Sequence, residues 1–451
     1  MISDFFRRLV PAVAGTLFLA AAVQAEKPPQ YFVDEAKLPF DAIPGLPAAQ
    51  YWGVHKGAGY RVEVPANWNG DLVLWAHGFR GSGLELTVDN HPLRPLLLQL
   101  GYAWAASSYS RNDYDVEAGA KDTHALTRYF NGLVGKPDKV YLTGASMGGH
   151  VTGVAIEQWP NAYDGAMPIC GVMGDYELFD YFLSYNLVAQ ALAGFPAGQV
   201  DFPPDPVDYL FNRVPAVISQ LGPAFPFALN AQGQALYGVT ANLTGGDRPV
   251  FLQGFLFWNA IPGLEGLAPF LFELGASDGT LPRQPGVGVD NADTIYQIDS
   301  DPMLSPEELF LNEFVKRVTA DPQARKNQGI TNVPPINGDI TIPVLTLHTL
   351  GDLFVPFSMQ QFYRQRVEAN GRSELLVQRA IRDLNHCGFT GEELATAFLD
   401  LVSWVETGAK PAGDDVLDPA VVADPDYGCA FTSEDRSVPA GFPPIAACPA
   451  P

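Results

Sequence analysis

Thr143-Gly144-Ala145-Ser146-Met147-Gly148-Gly149, the stretch TGASMGG, joins two runs of different period. Before it stands DKVYL (Asp138–Leu142), a short apolar run of the kind that forms a buried strand. After it, GGHVTGVAIEQWP has helical spacing and stops at Pro160. Residues Gly144 to Gly148 fit G-x-S-x-G, a pattern with chemical content where a strand turns sharply into a helix. Such a turn exposes the serine hydroxyl. Glycines two residues to either side let strand and helix approach, and the helix N-terminus aims free N–H groups at the same spot.

The flanking sequence repeats this strand-then-helix rhythm. YRVEV (Tyr60–Val64), DLVLWAHG (Asp71–Gly78), LGYAWAASSY (Leu100–Tyr109) and YDGAMPICGV (Tyr163–Val172) read as strands. AKDTHALTRYFNGLVG reads as a helix closed by glycine. The alternation predicts an α/β fold with a mostly parallel central sheet and helices on both faces. From about Gly174 to Asp339 the rhythm gives way to segments rich in Phe, Leu, Pro and Gly, read as an inserted cap over 174–338. The sheet resumes at DITIPVLTLHTLGD (Asp339–Asp352) and SELLVQRAI (Ser373–Ile381), and GEELATAFLDLVSWVETG (Gly391–Gly408) closes it as a helix. The core therefore spans 26–173 and 339–410. A Pro- and Asp-rich tail at 411–451 reads as irregular.

Composition narrows the function classes. The 451 residues carry a formal charge of −23, which argues against nucleic acid as a partner, because phosphate binding needs a basic surface. With 47% apolar residues the chain has enough material for a large core. Residues 1–25 pair Arg7 and Arg8 with an apolar stretch from Leu9 to Val23. They end in Val23-Gln24-Ala25, the pattern of a cleaved signal peptide. The expected location is secreted or periplasmic, and no later run has the length of a membrane span. Four cysteines, Cys170, Cys387, Cys429 and Cys448, suit two disulfides in an exported protein. Sequence allows three pairings. Cys429 with Cys448 is the local choice, which leaves Cys170 with Cys387. No Cys or His spacing suggests zinc, and the acidic stretch Asp290–Asp301 lacks calcium-loop spacing. Asn242-Leu243-Thr244 is a glycosylation sequon.

On the motif and its setting, the chain resembles the α/β-hydrolase-fold serine hydrolases of the secreted esterase and lipase type. The likeness covers about Tyr60–Val172 and Asp339–Gly408. It implies the order nucleophile, acid, histidine. Ser146 is then the nucleophile. Asp352, just past VLTLHTLG, is the acid, with Asp383 its rival. His386, in RDLNHCGFT after the last strand, is the general base. The backbone N–H groups of Met147 and Phe79 are the expected oxyanion donors, the second from the loop HGFRG (His77–Gly81). Arg80 is a candidate to line the entry and meet an anionic group, the alternative being a solvated side chain. Tannases and feruloyl esterases also bridge a cysteine beside the histidine, but to one just before the serine. Here Ala145 stands in that place. Phe251, Phe255, Phe257 and Trp258 of the cap are candidates for an apolar pocket.

The reading implied is an exported hydrolase of small or polymeric carboxylic esters, with no cofactor. A serine peptidase of the prolyl oligopeptidase type and a non-catalytic binding protein on the same fold are the alternatives.

Overall fold

Apolar runs of five or six residues, buried along almost their whole length, build the centre of the molecule. The computed structural model describes residues 30–202, 204–277, 279, 286–325 and 331–449. The signal sequence read over 1–25 lies outside the described residues. Residues 1–30 and 31–451 form two units, and the second is described here.

Among the described residues the main sheet has eight strands: β1 (Ala48–His55), β2 (Ala58–Pro65), β3 (Leu72–Ala76), β4 (Ala103–Ser107), β5 (Val140–Ala145), β6 (Gly165–Ile169), β7 (Val344–Thr349) and β8 (Leu376–Ile381). Their spatial order is β1-β2-β4-β3-β5-β6-β7-β8. β2 runs antiparallel to β1 and β4, and every other pairing is parallel. This order, with β3 placed inside β4, is that of the α/β-hydrolase fold. Helix α1 (Val116–Leu133) and helix α2 (Met147–Gln158) cover one face. The closing helix, Gly391–Thr407, packs on the other through Phe398 and Leu401. β3, β4 and β6 are buried at all five positions, as a sheet covered on both faces requires.

β1 is a strand that the sequence reading passed over. Its residues alternate between half-buried and exposed, as suits an edge. It joins β2 through Lys56 and Gly57, both at positive φ (53° and 87°). That is the backbone of a two-residue hairpin turn, but lysine in the first position hides the usual Asn-Gly signal.

Between β6 and β7 the chain forms helices that include α3 (Glu177–Leu192), α4 (Ala231–Leu243) and α5 (Phe251–Ala260). Their apolar cluster takes in Leu353, Val355 and Met359 from beyond β7. The inserted segment therefore shares a core with the sheet's carboxyl edge. The sequon at Asn242 lies on α4 with its amide donating to the carbonyls of Gln297 (3.0 Å) and Asp299 (2.8 Å), and Thr244 is buried.

The tail is ordered by specific polar contacts, although its sequence reads as irregular. Asp414 accepts from Ala380 N–H (2.7 Å), and Arg382 donates to the carbonyls of Pro425 (2.6 Å) and Ala446 (3.0 Å). Val416, Val422 and Tyr427 pack with Leu350, Ala380 and Leu384. Arg436 bridges two buried carboxylates on either side of the 385–389 loop, Asp383 (2.9 Å) and Glu393 (2.6 Å). Removing one partner of such a network leaves uncompensated buried charge. Arg436→Met is therefore expected to cost about 3 kcal/mol in urea unfolding at pH 7. A loss within about 0.5 kcal/mol, typical of a neutral surface change, would show that Arg436 does not hold the tail.

Candidate active site

Ser146 occupies the one-residue corner between β5 and α2, with φ 59° and ψ −123°. This left-handed conformation is costly for a residue with a Cβ, of order 1–3 kcal/mol, and survives only where its surroundings enforce it. They do so here. Ser146 N–H donates to Ile169 O (3.1 Å), and its carbonyl accepts from Gly149 N–H (2.9 Å) and Val172 N–H (3.3 Å). The flanking glycines make room. A Cβ on Gly148 would overlap the carbonyl of Ala76, and one on Gly144 would overlap that of Gly148.

Asp352 and His386 meet as a pair. The imidazole Nδ1 lies 2.6 Å from Asp352 Oδ2, and Asp352 is completely buried. A carboxylate oxygen only accepts, so Nδ1 carries a ring proton, and in the neutral imidazole Nε2 is the nitrogen with the lone pair. Asp352 Oδ1 accepts from the N–H groups of Phe354 (2.9 Å) and Val355 (3.0 Å). The Phe354 ring meets the imidazole edge-on at 5.1 Å. Nε2 is buried and has no hydrogen-bond partner among the described residues. The rival Asp383 is spent on Asn385 N–H (2.7 Å) and Arg436.

The serine and the histidine are linked through β6. Ser146 N–H bonds to Ile169 O, and the next residue, Cys170, forms a disulfide with Cys387, the neighbour of His386. Cys429 pairs with Cys448 in the tail. Among the described residues, Cys170, His386 and Cys387 are the group of metal-type donors that crowds together, and its two sulfurs are already bonded to each other.

The 77–79 loop lies against the serine. A Cβ built on Gly78 would be 3.1 Å from Ser146 Cβ and 3.6 Å from its Oγ. Beneath it, Tyr109 O–H donates to His77 O (3.0 Å) and the two rings stack at 3.8 Å. Met147 is the first residue of α2, where an N–H has no partner within the helix. Arg80 departs from expectation. Its guanidinium is held by Thr87 and Asp89, so it is committed to its own loop and not free for a substrate anion.

A cavity of about 290 Å³ opens on Ser146 and Phe79, walled by Phe179, Phe182, Leu183 and Phe354. The four aromatics read from the cap as pocket candidates are not among its lining residues. Phe251, Phe255 and Trp258 are buried in the cluster that the 174–338 segment shares with Leu353, Val355 and Met359. α5 is apolar on every side, so its periodicity selects no face.

Two supports escaped the sequence reading. His348 Nε2–H donates to Val355 O (2.8 Å) and Nδ1 accepts from Gln360 (3.2 Å), which braces the loop carrying Asp352. His150, on α2, accepts from Tyr114 O–H (2.9 Å) and donates to Pro334 O (2.7 Å). Sequence gave no signal for either, because their partners are backbone carbonyls or distant side chains.

No family model matches the chain. An o-phthalyl amidase of Xanthobacter agilis is 23% identical over 416 residues, spanning 79% of this chain and 87% of that protein. Among solved structures, an esterase from Aspergillus oryzae aligns with a TM-score of 0.47 at 13% identity, over 81% of this chain and 80% of its own. Feruloyl esterase B from the same organism gives 0.44 at 15% identity, over 85% and 86%.

Burial lowers the His348 pKa from 6.5 to about 4. Between these values the unfolded chain binds the extra proton and the folded chain does not. Stability from this group is thus lost as pH falls through that window. At about 1.4 kcal/mol per unit the total is about 3 kcal/mol. His348→Gln should therefore lose about 3 kcal/mol less than the parent between pH 7 and pH 4 in urea unfolding. Equal losses would refute this.

Proposed function

We propose that this chain, an α/β-hydrolase fold by its strand order, is an exported serine hydrolase that cleaves carboxylic esters through an acyl-enzyme. The observation that carries the reading is the 2.6 Å contact of His386 Nδ1 with the buried Asp352, which leaves Nε2 unspent. A strained serine at the strand-to-helix corner supports it.

In this reading His386 Nε2 takes the Ser146 proton as Oγ attacks the ester carbonyl. Asp352 holds the tautomer and stabilises the imidazolium. The oxyanion is met by the N–H groups of Met147 and Phe79 at the positive end of α2, each such donor being worth about 3 kcal/mol in the transition state. His386 then returns its proton to the leaving alcohol, and water repeats the sequence to free the acid. The apolar walls of the cavity suit a substrate whose acyl or alcohol part is hydrophobic. Two disulfides and the signal-like N-terminus support export. Among the described residues no helix is long and apolar enough to cross a membrane.

Amide cleavage is the second reading, favoured by the similarity to an amidase. The same residues would serve it, with His386 protonating a leaving amine.

A panel of p-nitrophenyl esters and matched anilides decides between the two. Ester turnover should exceed anilide turnover, and Ser146→Ala and His386→Ala should each lower kcat by about 10⁴-fold or more. Asp352→Asn should cost about 10⁴-fold as well, by leaving the wrong tautomer. Anilide cleavage without ester turnover would move the assignment to an amidase, and undiminished activity in Ser146→Ala would refute both readings.

A further inference from the structure

The loop that carries Asp352 is held by side chains from the inserted segment. Arg248 Nε donates to Leu350 O (2.8 Å), Trp258 Nε1 to Gly351 O (3.1 Å), and Tyr181 O–H to Leu353 O (3.1 Å). Arg248 precedes α5, Trp258 lies on it, and Tyr181 lies on α3. Three carbonyls around Asp352, two before it and one after, are therefore fixed from one side.

Trp258 does more than the other two. Its single indole N–H is shared with Leu384 O (3.0 Å), two residues before His386. The two loops also touch directly, through Gly351 N–H to Asp383 O (2.8 Å) and Thr349 Oγ1 to Asn385 O (2.8 Å). The indole sits where they join and is almost fully buried (3% exposed). The absence of a side chain at Gly254 lets α5 come this close, since a Cβ there would lie 2.9 Å from Gly351 Cα.

We propose that Trp258 is a positioning residue, which sets the Asp352 loop against the His386 loop and makes α5 a fixed part of the catalytic frame. This rests on the serine-hydrolase reading above. The physical reason is that a buried carbonyl without a donor shifts to find one. A shift of Gly351 or Leu384 moves a backbone one or two residues from a 2.6 Å contact that tolerates little displacement. Substrate reaches Ser146 from a cavity whose lining does not include Trp258, so binding should be unaffected.

Trp258→Phe keeps an aromatic ring and removes the donor. In an ester assay normalised to active sites titrated with a fluorophosphonate, kcat should fall tenfold or more with KM within twofold. In an Asp352→Asn background the same change should cost less than twofold, because the residue acts through Asp352. A kcat per titrated site within twofold of the parent would overturn the proposal. So would a full tenfold loss on top of Asp352→Asn, the mark of a merely structural role. Should Trp258→Phe not fold, Tyr181→Phe carries the test through Leu353, with a kcat loss of threefold or more that again vanishes in Asp352→Asn. No loss there overturns it. Ser146→Ala, run alongside, separates the two levels: its activity would sink the serine reading, whereas an inert Ser146→Ala beside an unimpaired Trp258→Phe sinks only the role of Trp258.

Discussion

The hydrogen bond from Ser146 N–H to Ile169 O is the constraint on which the rest is arranged. It holds a residue with a Cβ in a backbone region that such residues avoid, and it does so from Ile169, the last residue of β6. The disulfide then carries that anchorage to Cys387 and so to His386. Ser146 and His386 lie 240 residues apart in sequence, yet one hydrogen bond and one covalent link join them through the end of β6. The tannase-like arrangement places its cysteine directly before the serine. Here Ala145 stands before the serine, and Cys170, the residue after β6, bonds to Cys387.

Much of the sheet and the candidate site was legible in the sequence because its signals are local. TGASMGG announces a turn, VLTLHTLGD is itself an apolar run of strand length that ends at Asp352, and RDLNHC follows another such run. Chain order, by the resemblance, then makes them candidates for nucleophile, acid and base. What sequence did not show depends on long-range polar contacts. Nothing in DRPVFLQGFLFWNA says that Trp258 reaches Gly351 and Leu384, because α5 is apolar all round and its pattern selects no face. Arg80 looked free because its partners, Thr87 and Asp89, lie in a loop without periodicity. β1 was missed at its turn, where Lys56 takes a backbone conformation usually marked by asparagine or glycine.

The inserted segment and the tail are both parts of the frame. The segment grips the Asp352 loop through Arg248, Trp258 and Tyr181, while the tail grips the His386 loop through Arg436. Each side of the Asp352–His386 contact is thus backed by a different stretch of chain. Three of the buried histidines brace loops in their own surroundings. His77, His150 and His348 each spend a ring nitrogen on a backbone carbonyl, and burial lowers the pKa of each.

The tail contacts also bear on the order of biosynthesis. A ribosome makes Ser146 in the first third of the chain, but Arg436 and the carbonyl of Ala446 come near its end. A nascent chain that has emerged as far as the closing helix, Gly391–Thr407, holds the sheet strands and both loops, yet Asp383 and Glu393 still lack their shared cation. The histidine loop then waits on residues made after it. Chains that stop short of Arg436 therefore carry Ser146 and His386 with the 385–389 loop not yet tied to the tail.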